Sequence, residues 1–306
     1  MLSMKKKKPR SLTDDGWKGF LFVAPNLLGF MIFTVIPVVF AFGISFTSWD
    51  FYRGFDGLSF VGIKNYLDLG KDLWFKSSIV NNIYYTLGTL PPLIVFSLLI
   101  AVALNGHLLG RNIVRSCVFL PYVINTVAIA AIGLLVFNNS GPVNIFLSAL
   151  GVQDPPRWLA SLDWAMPAVI IMSVWQGLGY DVIIYLAGLQ AIPEDLYEAA
   201  TIDGANGFQR LIYVTVPMVQ PTTFFLLVTN IISSFQVFGL INVLTKGGPA
   251  RATTVLAYYI YRLAFVYNKM GPGAAVSVVL FAIVFIITVI QWVVQRHSER
   301  EMGSVM

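Results

Sequence analysis

The sequence predicts an all-α polytopic membrane protein that crosses the bilayer six times. Three observations carry this. Charged residues make up only 11% of the 306-residue chain, where a soluble domain carries about 25%. Apolar residues make up 57%, and mean hydropathy is +0.75. Six apolar stretches are each long enough to cross a hydrocarbon core, which takes about 20 helical residues. So few charges cannot cover a water-soluble globule of this size, which excludes a soluble enzyme as the main body. A disordered chain would lack the apolar residues. A single cysteine, Cys117, excludes a disulfide scaffold.

The predicted spans run over 19–46, 79–104, 113–137, 164–189, 222–244 and 274–294. The last has no charge, and at about 1.5 Å per residue it covers roughly 31 Å, one bilayer core. Pro91-Pro92 should kink the second span, and Pro25 and Pro37 interrupt the first. Ten-residue segments of alternating polarity are absent, which argues against a transmembrane barrel. The first span is too long for a signal-peptide core and lacks a small-x-small cleavage site, so it reads as an uncleaved anchor. Lys5, Lys6, Lys7, Lys8, Arg10 and Lys18 precede it. Such a cluster reads as a topology signal rather than a nucleic-acid arm, and places the N-terminus inside. An even number of spans then puts both ends in the cytoplasm. The organisation is a basic tail over 1–18, a six-span domain over 19–295 and a C-tail over 296–306.

Several chemistries are missing. No G-x-x-x-x-G-K-[ST] phosphate loop, H-E-x-x-H or G-x-S-x-G is present. The only histidines, His107 and His297, lie in a loop and in the tail. With one cysteine, no protein-ligated metal or haem site is expected. An intramembrane enzyme would need carboxylates inside the spans, and Asp181 is the clear one. That argues against catalysis and leaves a conduit or transporter.

The inner loop 190–221 is the most informative stretch. Pro193, Glu194 and Asp195 start a helix, with acids at its positive dipole end. Gly204 ends it, and Phe208, Leu211 and Ile212 continue an amphipathic helix to Pro217. A folded hairpin of this size is a docking element, because a mere connection would be shorter. A helix lying on lipid would be rich in Lys and Arg. This one carries Glu194, Asp195, Glu198 and Asp203 against Arg210.

Glu198-Ala199-Ala200, then three residues, Gly204, nine residues, Val214, Thr215, Val216 and Pro217 resemble the EAA loop of ABC importer permeases. That pattern is EAA-x3-G-x9-I-x-L-P, with Val214 and Val216 as conservative departures. Its five fixed letters give on the order of one chance match in a couple of thousand chains. Phe60–Tyr66, Arg115–Pro121, Leu186–Pro193, Asp203–Ala205 and Leu244–Pro249 are similar to the carbohydrate-uptake class, of maltose type and glycerol-3-phosphate type. The Gly247-Gly248-Pro249 word resembles the first of its two permease subunits. The likeness covers residues 17–295. Gly239 stands where many relatives have an acid, and Asp181 where an amide is common.

This resemblance implies the six-helix, MetI-like permease fold of type I ABC importers. It implies a heterodimer with a second permease subunit, two ATPase subunits inside and an extracytoplasmic solute-binding protein, in a bacterial or archaeal cell membrane. No cofactor is expected in this chain, since ATP and Mg belong to the ATPase, and nucleic acid is not a partner. Glu198, Ala199, Ala200, Asp203, Gly204 and Pro217, in the hairpin 193–217, would couple to the ATPase. The implied substrate is a sugar, with glycerol-3-phosphate or another polar solute as an alternative. A passive channel or intramembrane enzyme is the alternative from another class.

Sugar sites pair aromatic faces with amides and carboxylates. That makes Trp175, Gln176, Tyr180 and Asp181 in the fourth span candidates for the substrate path. Asn230, Ser233, Ser234, Gln236 and Asn242 in the fifth join them. Interhelical hydrogen bonds without substrate contact would use the same residues. Tyr258, Tyr259, Tyr261, Phe265 and Tyr267 suit a contact with the binding protein or an interfacial aromatic belt.

Overall fold

The computed structural model describes residues 16–106 and 110–303. The basic cluster Lys5–Arg10 and His107 lie outside the described residues, and so does the side chain of His297. Four helices are long and apolar enough to cross a membrane unbroken: Gly19–Ser45, Leu73–Asn105, Ala165–Gln190 and Met270–Gln295. Two bent pairs complete the set. Arg111–Val123 meets Thr126–Val136 at 103°, and Gly207–Met218 meets Gln220–Phe235 at 66°. These elements are the first to sixth spans, in chain order.

The prolines act differently in different spans. In the first, the helix opens into a five-residue wide turn, Met31–Val35, where the Ile36 amide bonds the Met31 carbonyl. Pro37 follows at once. The wide turn absorbs the steric demand of the proline ring without ending the helix. The same device precedes Pro217, where the Val216 amide bonds the Leu211 carbonyl across Leu211–Thr215. In the second span the helix runs on as one piece through Pro91 and Pro92. It packs along the fourth, so closely at Gly88 that an added Cβ would lie 2.5 Å from Ile170.

Two of the predicted spans are not single helices. The third, expected as one run over 113–137, breaks after Val123. Ile124 is extended, and the Asn125 side chain accepts from the Val127 amide to start a new helix. Pro121, which lacks a donor, lies in the turn before the break. The run 222–244 is likewise divided. Its helix ends at Phe235, and a new one spans Gly239–Leu244. The sixth span has no such interruption, and its helix continues to Gly303.

Beyond the spans, Thr47–Trp49 pairs antiparallel with Leu58–Phe60, a small ribbon that the all-α expectation did not include. The segment that follows the Gly247–Pro249 loop is tied to the second span. Asn81 Nδ2 donates to the carbonyls of Arg251 (2.7 Å) and Thr254 (2.8 Å). Asn82 Nδ2 donates to the Ser234 carbonyl (3.1 Å), while its Oδ1 accepts from the Leu256 amide (2.9 Å). This tie draws Tyr258 and Tyr259 into the core, so neither is free for a partner or an aromatic belt. Phe265 and Tyr267 remain exposed.

Asn82 is fully buried and both ends of its amide are used. Asn82→Ala should cost about 1–3 kcal/mol by leaving two buried backbone groups unpaired. A lowered inactivation temperature in detergent is the expected result, and an unchanged one would contradict the tie.

Candidate functional site

Two features lie on either side of one pair of helices. The first is the hairpin between the fourth and fifth spans. Helix Glu194–Ile202 starts after extended Pro193 and buries none of its residues. Gly204 ends it at φ +79°, where the Ala205 amide returns to the Ala200 carbonyl (2.9 Å). That conformation is cheap for glycine and strained for other residues. Asn206 then caps the next helix in a reciprocal pair with Gln209, at 2.9 and 2.8 Å. Tyr197 Oη and Thr215 Oγ1 share a 3.0 Å bond, and Arg210 Nη1 donates to Thr201 Oγ1 at 3.2 Å. Both bonds brace one arm of the hairpin against the other.

Glu198, Ala199, Asp203, Gly204 and Pro217 are exposed on this hairpin, and Ala200 is half-buried. The Glu198 carboxylate has no bonding partner among the described residues. Large apolar groups stand in the open on the same hairpin: Ile202 (86% exposed), Tyr213 (77%) and Phe208 (69%). Exposed apolar groups on a hairpin that also carries an unpaired acid suit a protein surface better than water or anionic lipid.

The second feature is a cavity of about 890 Å³ within the helix bundle. The second span contributes Tyr85, Thr89 and Leu93, and the break in the third contributes Tyr122, Asn125 and Thr126. The fourth adds Ser173, Gln176, Tyr180 and Asp181. The fifth adds Thr229, Asn230, Ser233, Ser234 and Gln236. The unwound stretch after Phe235 closes one edge with Val237 and Phe238. Irregular backbone at membrane depth is tolerated where it lines such a space.

Seven of the nine sequence-predicted path residues thus share one wall system: Gln176, Tyr180, Asp181, Asn230, Ser233, Ser234 and Gln236. Trp175 and Asn242 are the exceptions. Trp175 lies outside the cavity, because a helix turns each successive side chain by about 100° and Gln176 takes the inward direction. Asn242 is also outside it. Tyr85, Tyr122, Asn125, Thr126 and Ser173 line the cavity and were not predicted. The polar pair Asn125-Thr126 within an apolar run was the available signal.

Asp181 is fully buried, and Asn230 Nδ2 donates to its Oδ2 at 2.7 Å. Its Oδ1 is buried without a partner. Gln176 Nε2 donates to Thr126 Oγ1 at 3.3 Å, linking the fourth span to the broken third. Tyr122 and Tyr180 lie with ring centroids 5.4 Å apart. No group of three or more metal-ligating side chains occurs among the described residues.

Comparison with known proteins places these features in a family. The family model described as the inner membrane component of binding-protein-dependent transport systems matches residues 93–301, which include the hairpin and most of the cavity wall. The chain is 36% identical to a probable ABC transporter permease protein of Bacillus subtilis, YesP, over 93% of this chain and 92% of that one. It is 33% identical to the arabinooligosaccharide transport permease AraP of the same organism, over 92% of each. Among solved structures it resembles a chain of a bacterial ABC transporter involved in importing the acidic polysaccharide alginate. The TM-score is 0.78 at 26% identity, over 94% of this chain and 97% of that one. That transporter is also known in complex with a periplasmic protein carrying an alginate pentasaccharide. The chain belongs to this family: it is an inner-membrane permease component of a binding-protein-dependent ABC transport system.

Proposed function

We propose that this chain forms one half of the translocation path of an ATP-driven saccharide importer. One observation carries the reading. A cavity of aromatic faces, amides and hydroxyls is walled by the two helices that flank an exposed, EAA-type hairpin. AraP and the alginate importer act on saccharides, which supports a sugar over other solutes. A phosphate ester such as glycerol-3-phosphate would call for Arg or Lys in the wall, and none lines it. A second permease subunit supplies the other half of the path. Two separate ATPase subunits bind ATP and Mg and do the hydrolysis, so this chain is not itself an enzyme. A solute-binding protein delivers the sugar from outside, and both termini face the cytoplasm.

Coupling runs through the hairpin. It seats in a cleft of the ATPase, where Glu198 forms a charge-assisted bond with a basic group. Ala199 and Ala200 permit close backbone approach. Three polar rungs lead from there to the cavity. Tyr197 meets Thr215 within the hairpin, Tyr185 Oη donates to Thr223 Oγ1 at 3.0 Å, and Asn230 bonds Asp181 at the wall. Gly188 packs against Thr222 between the first two rungs. Helices braced in this way move together, so a nucleotide-driven shift of the hairpin reaches the cavity wall. The two nucleotide states must contact the hairpin differently for that shift to occur.

Glu198→Lys is expected to abolish uptake while leaving membrane levels unchanged. Gly204→Asp should act similarly, because a side chain at φ +79° costs about 1–2 kcal/mol of strain and distorts the turn. Solute uptake in cells, normalised to protein level, checks both, and normal uptake by either would contradict the role. Tyr185→Phe removes the middle rung. It should lower the amount of solute moved per ATP hydrolysed in proteoliposomes, and an unchanged ratio would show that the rung transmits nothing.

A further inference from the structure

The cavity contains one carboxylate and no cation: no Lys, Arg or His is among the described residues that line it. Asp181 is fully buried, and only one of its oxygens is bonded, to Asn230 at 2.7 Å. The other, Oδ1, has no donor in reach. The remaining polar wall groups, Gln176, Asn125, Ser233 and Gln236 among them, are neutral. Asn230 holds the carboxyl group in place through one hydrogen bond.

A carboxylate oxygen at membrane depth is costly until a donor reaches it. A saccharide hydroxyl or an ammonium group is such a donor. A uronate or phosphate group is not, and it would confront a like charge in a medium of low dielectric constant. We propose that the cavity selects by charge. It admits saccharides that present hydroxyl or amino donors and excludes anionic ones, and Asp181 is the group that sets this specificity. The proposal rests on the reading of the cavity as the translocation path.

The test uses the whole purified importer in proteoliposomes, so that the partner permease's share of the wall is included. Cys117→Ser removes the native thiol, and Ser233→Cys places one on the exposed wall of the cavity. Two thiol reagents are compared, a cationic trimethylammonium methanethiosulfonate and an anionic sulfonate analogue. Their rates are normalised to free cysteine. The cationic reagent should be favoured by about tenfold, the low end of what charge focusing in a low-dielectric cleft produces. Asp181→Glu should keep that preference, and Asp181→Asn should bring the ratio to about one. A ratio that favours the anion, one that Asp181→Asn leaves unchanged, or a thiol inert to both reagents would overturn the proposal. Failure of the underlying reading looks different. If the charge preference holds but modification leaves solute uptake intact, the cavity is not the path, and the saccharide assignment falls with it.

Discussion

The hydrocarbon slab offers no water to an unpaired backbone group, and the arrangement of this chain follows from how it meets that restriction. Helix interruptions are resolved in two ways. At Pro37 and Pro217 the backbone widens by one residue per turn and keeps its hydrogen bonds. At Ile124–Asn125 and at Gln236–Phe238 the helices end, and the freed groups lie on a polar cavity. Asn125 replaces part of the lost bonding by capping the helix that follows. The cavity and the helix breaks therefore require each other.

The fourth and fifth spans carry the consequence. They share the Asp181–Asn230 bond at the wall and the Tyr185–Thr223 bond further along, and they are joined by the hairpin itself. One continuous stretch of chain thus bears both the exposed EAA-type turn and most of the polar wall. The second span is the fixed counterpart. It packs along the fourth, and through Asn81 and Asn82 it holds the stretch from Arg251 to Leu256 in place. A displaced hairpin would move one face of the cavity against the other.

Much of this was legible in the sequence because it depends on local rules. Apolar length located the four unbroken spans. Pro193, Gly204 and Pro217 marked the hairpin, since each residue type has a fixed role at a helix end. Polar residues in apolar helices pointed inward, and seven of the nine candidates line the cavity. What was not legible depends on tertiary packing. Pro91 and Pro92 marked an expected kink, and the second span runs through them as one helix packed along the fourth. The break after Phe235 falls in the apolar run Val237-Phe238-Gly239-Leu240, which has no local signal. Trp175 and Gln176 are adjacent and cannot share one direction, and only tertiary packing decides that Gln176 is the one on the cavity. Tyr258 and Tyr259 looked like surface aromatics, but the asparagine tie to the second span buries them.

The central claim is that an exposed hairpin on this chain docks an ATPase and drives the wall of a saccharide path. It is tested most directly by purifying the chain from its native membrane in mild detergent and assaying what accompanies it. The account predicts co-elution of an ATPase and a second permease, with ATP hydrolysis in the purified fraction. A chain that purifies alone, with no associated ATPase activity, would contradict it.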